Sequence, residues 1–277
     1  MIPTRIPLAG VIGSPVAHSR SPRLFAHWLR TYGLPGHYIP MDIASDKLAD
    51  CLRRLPDLGF VGVNITLPYK ERAMEIADLI SDRATLIGAA NTLIFRTDGR
   101  IHADNTDGYG FIENLRQGAP DWNPRIGAAT VFGAGGAARA VIASLLDVGV
   151  PEIRLTNRTR IRADKLRADF GNRVQVYDWV KAGNIVEGSS TIINTTSLGM
   201  TGKPPFRVPL DALKPNMVVT DIVYSPLKTH LLEQAALAGC TVIDGLGMLV
   251  HQAVPGFERW FGQRPKVDSA TRNAVML

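Results

Sequence analysis

The chain has 277 residues, 45% hydrophobic and 20% charged, with a formal net charge of +6. That length supports a large core and two domains, and that balance is ordinary for a soluble globular protein, which excludes disordered and fibrous classes. No run of about 18 apolar residues offers a membrane span and the N-terminus lacks signal-peptide architecture, so no membrane partner and a cytoplasmic setting are expected. Cys51 and Cys240 are isolated, and the histidines (His18, His27, His37, His102, His230, His251) never fall at metal-ligand spacing. Neither a disulfide framework nor a metal site is therefore expected. Outside a cluster at 158–162 the basic residues form no block, which favours anionic small molecules over nucleic acid.

Leu8–Gly13 reads as a short apolar strand, followed by the loop Ser14-Pro15-Val16-Ala17-His18-Ser19-Arg20. Ser21 as N-cap and Pro22 as first helical residue predict a helix reaching to near Tyr32. His37 to Ile43 alternates as a second strand, and Ser45 is expected to cap a helix to Leu55. Phe60–Ile65 is a third strand that runs into Thr66-Leu67-Pro68-Tyr69-Lys70. Thr66 would cap the helix that follows, placing Lys70 near its first turn. Asn91 to Arg96 and Arg100 to Ala103 flank Thr97-Asp98-Gly99 as a hairpin. Strands alternating with helices imply a mostly parallel sheet with some antiparallel pairing.

From Gly108 a helix leads to a second α/β unit with strands expected at 128–132, 153–156, 174–177, 191–194, 217–222 and 241–243. Gly133, Gly135 and Ala138 fit the G-x-G-x-x-G/A turn of dinucleotide-binding folds. The first glycine permits the tight turn, the second lets backbone approach a pyrophosphate, and the small third residue lets helix and strand pack. Amides from Gly133, Ala134, Gly135, Gly136 and Ala137 would face the phosphates at the positive end of the helix. Packing alone is the plain alternative. An NAD site carries an acid about 20 residues further on. Here the second strand ends in Asn157-Arg158-Thr159-Arg160-Ile161-Arg162, which suits a 2′-phosphate and so NADP. The tail from Met248 is helical at first and broken by Pro255 and Pro265, and its last helix is expected to pack on the first domain.

Several polar residues have both a chemical and a structural reading. A lysine at position 70 works against a helix dipole, which favours its neutral form and suits proton transfer, yet it also reads as a surface lysine beside Glu71. Asp107 precedes a helix and reads equally as an N-cap. Ser19 and Ser21 are loop or cap hydroxyls that could also hold a carboxylate. Asn64 and Asn91, at strand ends, suit backbone bonding or sugar-like hydroxyls.

Taken together, these segments resemble the shikimate dehydrogenase family over essentially the whole chain. The resemblance runs through 10–13, 18–22, Val63–Lys70, Gly88–Thr92, 105–107, 133–138 and 157–159, then Asn194–Met200, Asp221–Pro226 and Gly245–Gln252. It implies reversible NADPH-dependent reduction of 3-dehydroshikimate to shikimate, a step in aromatic amino-acid biosynthesis. By similarity Lys70 and Asp107 form the acid–base pair, and Ser19, Ser21, Thr66, Asn91, Tyr224 and Gln252 fall on substrate-binding positions. Gly133 to Ala137 match the pyrophosphate turn, Asn157, Arg158, Thr159 and Arg162 the 2′-phosphate clamp, and Gly245 and Met248 the nicotinamide contacts.

The expected architecture is α/β in two domains with a cleft between them. A substrate-binding, mostly parallel mixed sheet occupies residues 1–107, with helices of 248–277 packed on it, and a doubly wound Rossmann NADP domain occupies 108–247. A monomer or homodimer is expected. Two departures stand beside the site: the family commonly reads S-P-x-[IL]-H-N where this chain has Phe25-Ala26, and P-H-K where it has Tyr69. The alternatives are a paralogue acting on quinate or an aminated analogue with NAD(P), and a non-catalytic NADPH or shikimate sensor.

Overall fold

In the computed structural model, which describes residues 6–276, the chain divides into two compact units. The first joins the residues up to Thr106 with the segment from Gln252 onward; the second is Asp107–His251.

The first unit opens with β1 (Leu8–Gly13), α1 (Ser21–Thr31), β2 (His37–Asp42), α2 (Leu48–Arg54) and β3 (Phe60–Ile65). It continues through α3 (Arg72–Ile76), β4 (Leu79–Ile80), α4 (Asp82–Ile87), β5 (Thr92–Phe95) and β6 (Ile101–Asp104). The sheet order is β2-β1-β3-β5-β6-β4. β1 lies parallel to both β2 and β3, while β5 runs antiparallel to β3 and β6, and β4 parallel to β6. β1 is apolar on both faces because it is covered on both, as central parallel strands are. Ile12, Leu48, Leu52, Val63, Ile65 and Leu93 form the core on one side.

Three local expectations are corrected here. Ser21 does not cap α1; it is the first helical residue, and the Oγ of Ser19 accepts its amide at 3.3 Å. Pro22 then sits at the second position, where no intrahelical donor is required. Ser45 opens a single 3-10 turn instead of capping, and α2 begins at Leu48. The helix expected from Thr66 starts only at Arg72. Pro68 disfavours helical backbone at Leu67, and the segment closes instead as a turn, with the Tyr69 amide donating to the Thr66 carbonyl at 3.0 Å. Lys70 therefore precedes a five-residue helix, and the argument from a helix dipole does not apply to it.

The second unit contains α5 (Asp107–Gly118), β7 (Ala128–Phe132), α6 (Gly136–Asp147), β8 (Ile153–Thr156), α7 (Arg160–Phe170) and β9 (Val174–Tyr177). After β10 (Ser189–Asn194) and β11 (Val218–Asp221) come α8 (His230–Leu237), β12 (Thr241–Ile243) and α9 (Leu246–His251). All pairings are parallel, in the order β12-β11-β10-β7-β8-β9. The chain starts in the middle at β7, winds outward through β8 and β9, then returns to the other side at β10. That reversal between β7 and β10 defines the switch point beyond whose carboxyl ends such sheets bind nucleotides. Every residue of β7 is buried, and Val131, Val141, Leu145 and Ile193 belong to one core.

The tail adds α10 (Val254–Phe261) and α11 (Ser269–Met276) to the first unit. Pro255 does not break the tail: it lies in the first turn of α10, where a missing N–H costs nothing. In α1, Trp28 donates its indole N–H to Thr271 Oγ1 of α11 at 3.3 Å. Phe25, Trp28, Tyr38, Phe257, Trp260 and Phe261 form a continuous aromatic cluster, in which Phe25 and Tyr38 stack at 3.8 Å between ring centroids.

Candidate active site

The glycine turn follows β7 in the second unit. Gly133 has φ +108°, and a Cβ there would lie 2.7 Å from Thr195 Oγ1, so the protein's own backbone demands glycine. Gly135 and Gly136 are different. A Cβ at either would meet nothing within 4 Å, and Gly135 holds φ −95°, ψ −172°, which any residue can adopt. Folding asks for no glycine at these two positions; a ligand that must touch backbone does. α6 starts immediately behind them with no side-chain cap, leaving its first amides without side-chain acceptors from the cap. Ala138, fully buried, lets the helix approach the sheet. The turn therefore fits a dinucleotide pyrophosphate, with the amides of Gly135, Gly136 and Ala137 as donors.

Asn157, at the end of β8, ties this turn to the basic loop. Its Oδ1 accepts from the Ala134 amide at 3.2 Å and its Nδ2 donates to the Thr159 carbonyl at 2.8 Å. Its side-chain amide thus fixes the loop that carries Arg158 relative to the glycine turn. α7 begins with Arg160 and has no acid in its first turn. The three arginines are not equivalent. Arg160 is bound to Asp178 and lies 3.6 Å from Asp164. Arg158 and Arg162 are exposed and have no ion-pair partner among the described residues.

On the other side of the switch point, Asp221 is buried at the end of β11. It accepts from Thr229 Oγ1 at 2.7 Å, Asn194 Nδ2 at 3.0 Å and the Val223 amide at 3.0 Å. Burial pushes its carboxyl above the ordinary range despite these three donors. The donors fix the loop that carries Tyr224. A Cβ at Gly245 would fall 2.3 Å from the Ile222 carbonyl oxygen, so glycine here lets the start of α9 lie against that loop. Met248, on α9, packs half-buried on the core of the unit.

In the first unit, Asn91 and Gln252 join one largely buried polar network. Asn91 accepts at Oδ1 from the Thr106 amide at 2.9 Å and donates through Nδ2 to Gln252 Oε1 at 3.1 Å. Thr106 Oγ1 also donates to the Gln252 carbonyl at 2.8 Å. Asn64 donates to the Asn91 carbonyl and to Thr92 Oγ1, at 3.1 and 3.2 Å, and accepts from the Tyr38 phenol at 2.7 Å. Tyr38 and Thr92, on strands, and Thr106, in the link between β6 and α5, belong to the same network; from sequence an aromatic and two threonines carry only a packing signal.

Thr66 lies beside the end of β1, with its amide donating to the Ile12 carbonyl at 2.9 Å, and the Ser14 amide reaches the Leu67 carbonyl at 3.2 Å. That brings the 66–70 turn next to the loop that carries Ser19. Two bonds hold Lys70 in place. Its carbonyl accepts from the Ala90 amide at 2.8 Å, and the neighbouring Tyr69, buried in the core, donates its phenol to the Ile43 carbonyl at 2.6 Å. Tyr69 is thus a structural anchor beside the lysine. Asp107, the first residue of α5, follows Thr106 directly in the chain. Among the described residues no group of His, Cys, Asp and Glu could hold a metal ion, and no helix is long and apolar enough to cross a membrane.

A mixed α/β unit bearing buried amides and hydroxyls, joined to a parallel sheet with a dinucleotide turn, defines a two-domain nucleotide-dependent dehydrogenase class. Residues 11–93 match the shikimate dehydrogenase substrate binding domain, and 245–275 the shikimate 5′-dehydrogenase C-terminal domain. The chain is 68% identical over 272 residues to the shikimate dehydrogenase (NADP(+)) of Cereibacter sphaeroides, spanning 98% of each. It is similar to the Thermus thermophilus shikimate 5-dehydrogenase in complex with NADP(H) and shikimate, with TM-score 0.86, 35% identity, and 97% and 98% of the two chains covered. It is also similar to the Corynebacterium glutamicum quinate dehydrogenase in complex with NAD, with TM-score 0.88, 29% identity and the same coverage. The chain belongs to the shikimate dehydrogenase family.

Proposed function

We propose that the chain catalyses the reversible NADPH-dependent reduction of 3-dehydroshikimate to shikimate, within the shikimate pathway of aromatic amino-acid biosynthesis. The observation that carries this reading is the 68% identity, over 98% of each chain, to a shikimate dehydrogenase (NADP(+)). In it the first unit binds the substrate and the second binds NADP. Ser19, Ser21, Thr66, Asn91, Tyr224 and Gln252 hold the substrate's carboxylate and hydroxyls. Arg158 and Arg162 grip the 2′-phosphate, Asn157 and Thr159 shape their loop, and Gly245 and Met248 border the nicotinamide.

When bound, the nicotinamide donates or accepts the hydride. Reduction of a ketone leaves charge on its oxygen, which must be met by a proton or a cation. Lys70 supplies the ammonium for that oxygen, and Asp107 keeps the lysine oriented and shares the proton. In the oxidative direction the pair takes the hydroxyl proton instead. The enzyme works in the cytoplasm on a small-molecule substrate, as a monomer or homodimer, with Cys51 and Cys240 both as thiols.

The likeness to an NAD-bound quinate dehydrogenase favours one competing reading, in which quinate and NAD are used. Exposed arginines at 158 and 162, where an NAD site would carry an acid, speak for NADP. A non-catalytic sensor would have no need of both Lys70 and Asp107. Steady-state rates with shikimate and quinate, each with NADP⁺ and NAD⁺, separate the three. Highest kcat/KM with shikimate and NADP⁺ is expected; preference for NAD⁺ or quinate supports the paralogue, and no turnover with any pair supports the sensor.

A further inference from the structure

Within the first unit, Tyr38, Asn64, Thr92, Asn91 and Gln252 form a hydrogen-bonded chain whose direction is set at one end by backbone. The Thr106 amide has only a proton to give, so the Asn91 atom that receives it at 2.9 Å is the oxygen. Asn91 Nδ2 consequently faces Gln252 Oε1, and Thr92 donates to Asn91 Oδ1 at 3.0 Å. Having given its proton, Thr92 Oγ1 must accept from Asn64, which puts Asn64 Nδ2 on that side and Oδ1 on the other. There the phenol of Tyr38 donates to Oδ1 at 2.7 Å. Burial raises the phenol pKa well above the ordinary tyrosine value, so it stays a donor. Tyr38 spans the sheet to do this. Ala9 and Gly62 stand level with it on β1 and β3, small enough for the ring to reach Asn64 beyond them.

We infer that Tyr38 is a positioning residue of the substrate site, whose phenol completes the hold on the buried Asn64 amide and through it steadies Thr92 and Asn91 beside Gln252. The inference rests on Asn91 and Gln252 serving the substrate. Without the phenol, Asn64 Oδ1 is buried and lacks a donor. The amide is then held on one side only, by the Asn91 carbonyl and Thr92 Oγ1, and its grip on the segment that carries Asn91 loosens. Phe25, where the family commonly carries histidine, stacks on the Tyr38 ring at 18° between planes and holds it whether or not the hydroxyl is present.

Tyr38→Phe keeps that stack and removes one oxygen, so it should fold. KM for shikimate, KM for NADP⁺, kcat and Tm are measured for the wild type, Tyr38→Phe, Asn64→Ala and the double variant. The expected result is a rise of about tenfold in KM for shikimate in Tyr38→Phe, with the KM for NADP⁺ within about twofold of wild type. On the Asn64→Ala background the same change should add no more than about twofold, because the residue acts through Asn64. An unchanged shikimate KM, an equal loss for both ligands, or full additivity with Asn64→Ala overturns the inference. Failure of the wild type to turn over shikimate would instead overturn the functional reading, so the two outcomes are distinct.

Discussion

Gly135→Ala separates what the fold needs from what the cofactor needs. The added methyl points into open space, and φ −95° is ordinary for alanine, so there is no steric cost. Two small effects remain. Alanine narrows the unfolded ensemble, worth about 0.4–1 kcal/mol in favour of folding. It is also a poorer N-cap than glycine by roughly half to one kcal/mol. These nearly cancel, so the free protein's Tm should move by no more than a few degrees. Cofactor binding should suffer much more, since the methyl stands where the pyrophosphate touches backbone. Losing even one charge-assisted amide bond costs about 1.5–3 kcal/mol, or roughly 10- to 150-fold in Kd. Gly133→Ala is the contrast. At φ +108° with Thr195 Oγ1 at 2.7 Å, it should destabilise the free protein by about 1–3 kcal/mol. Thermal unfolding without cofactor, paired with calorimetric titration of NADP⁺, reads both effects. Wild-type NADP⁺ affinity in a well-folded Gly135→Ala protein would refute the cradle.

The arginines give a second test: Arg158→Ala should weaken NADP⁺ binding by about 1–2 kcal/mol, with NAD⁺ barely affected and the difference shrinking in high salt. Arg160→Ala should change the NADP⁺ Kd by about twofold or less, because Asp178 and Asp164 already hold that guanidinium. Lys70→Ala should lower kcat by about 10²–10⁴ with a smaller change in KM, read by steady-state kinetics in both directions. Asp104 supplies a pH test. Burial raises its carboxyl, but the Ser81 hydroxyl, the Arg83 guanidinium and the Asn105 amide outweigh burial and hold it below the ordinary value. A depressed folded pKa means stability that is present above the unfolded value, about 4, and lost as pH falls through the folded one. Urea unfolding should therefore show Asp104→Asn less stable at neutral pH by about 1–3 kcal/mol, with the gap to wild type closing in acid. A gap independent of pH would contradict this.

The second unit is readable from sequence because its strands are short apolar or alternating runs bounded by turn residues, and its glycine spacing and terminal arginines are local patterns. The first unit was readable in outline. What escaped were features set by partners distant in sequence. β4 has two residues and exists because β6 is there to pair with it. Ser21 reads as a cap, but Ser19 supplies an acceptor two residues sooner. Thr66 reads as a helix start, but Pro68 delays the helix to Arg72. Tyr38 lies 26 residues from Asn64, and only the order β2-β1-β3 brings them to one face. Phe25 and Tyr69, which depart from the family pattern, are explained by the stack on Tyr38 and the bond to Ile43.

The pairing of Arg160 with acids sets the charge count of the loop after β8. A phosphate monoester carries about −1.5 to −2 at neutral pH. In the proposed site Arg158 and Arg162 bring two positive charges against that dianion; a third unpaired arginine would leave the loop overcharged and drawn to any polyanion. Asp178 removes that surplus. A balance struck against a dianion is lost when the ligand takes up a proton, near the second phosphate pKa of about 6. Discrimination between the two nicotinamide cofactors should therefore narrow as solutions become mildly acidic, even though neither arginine changes its own charge.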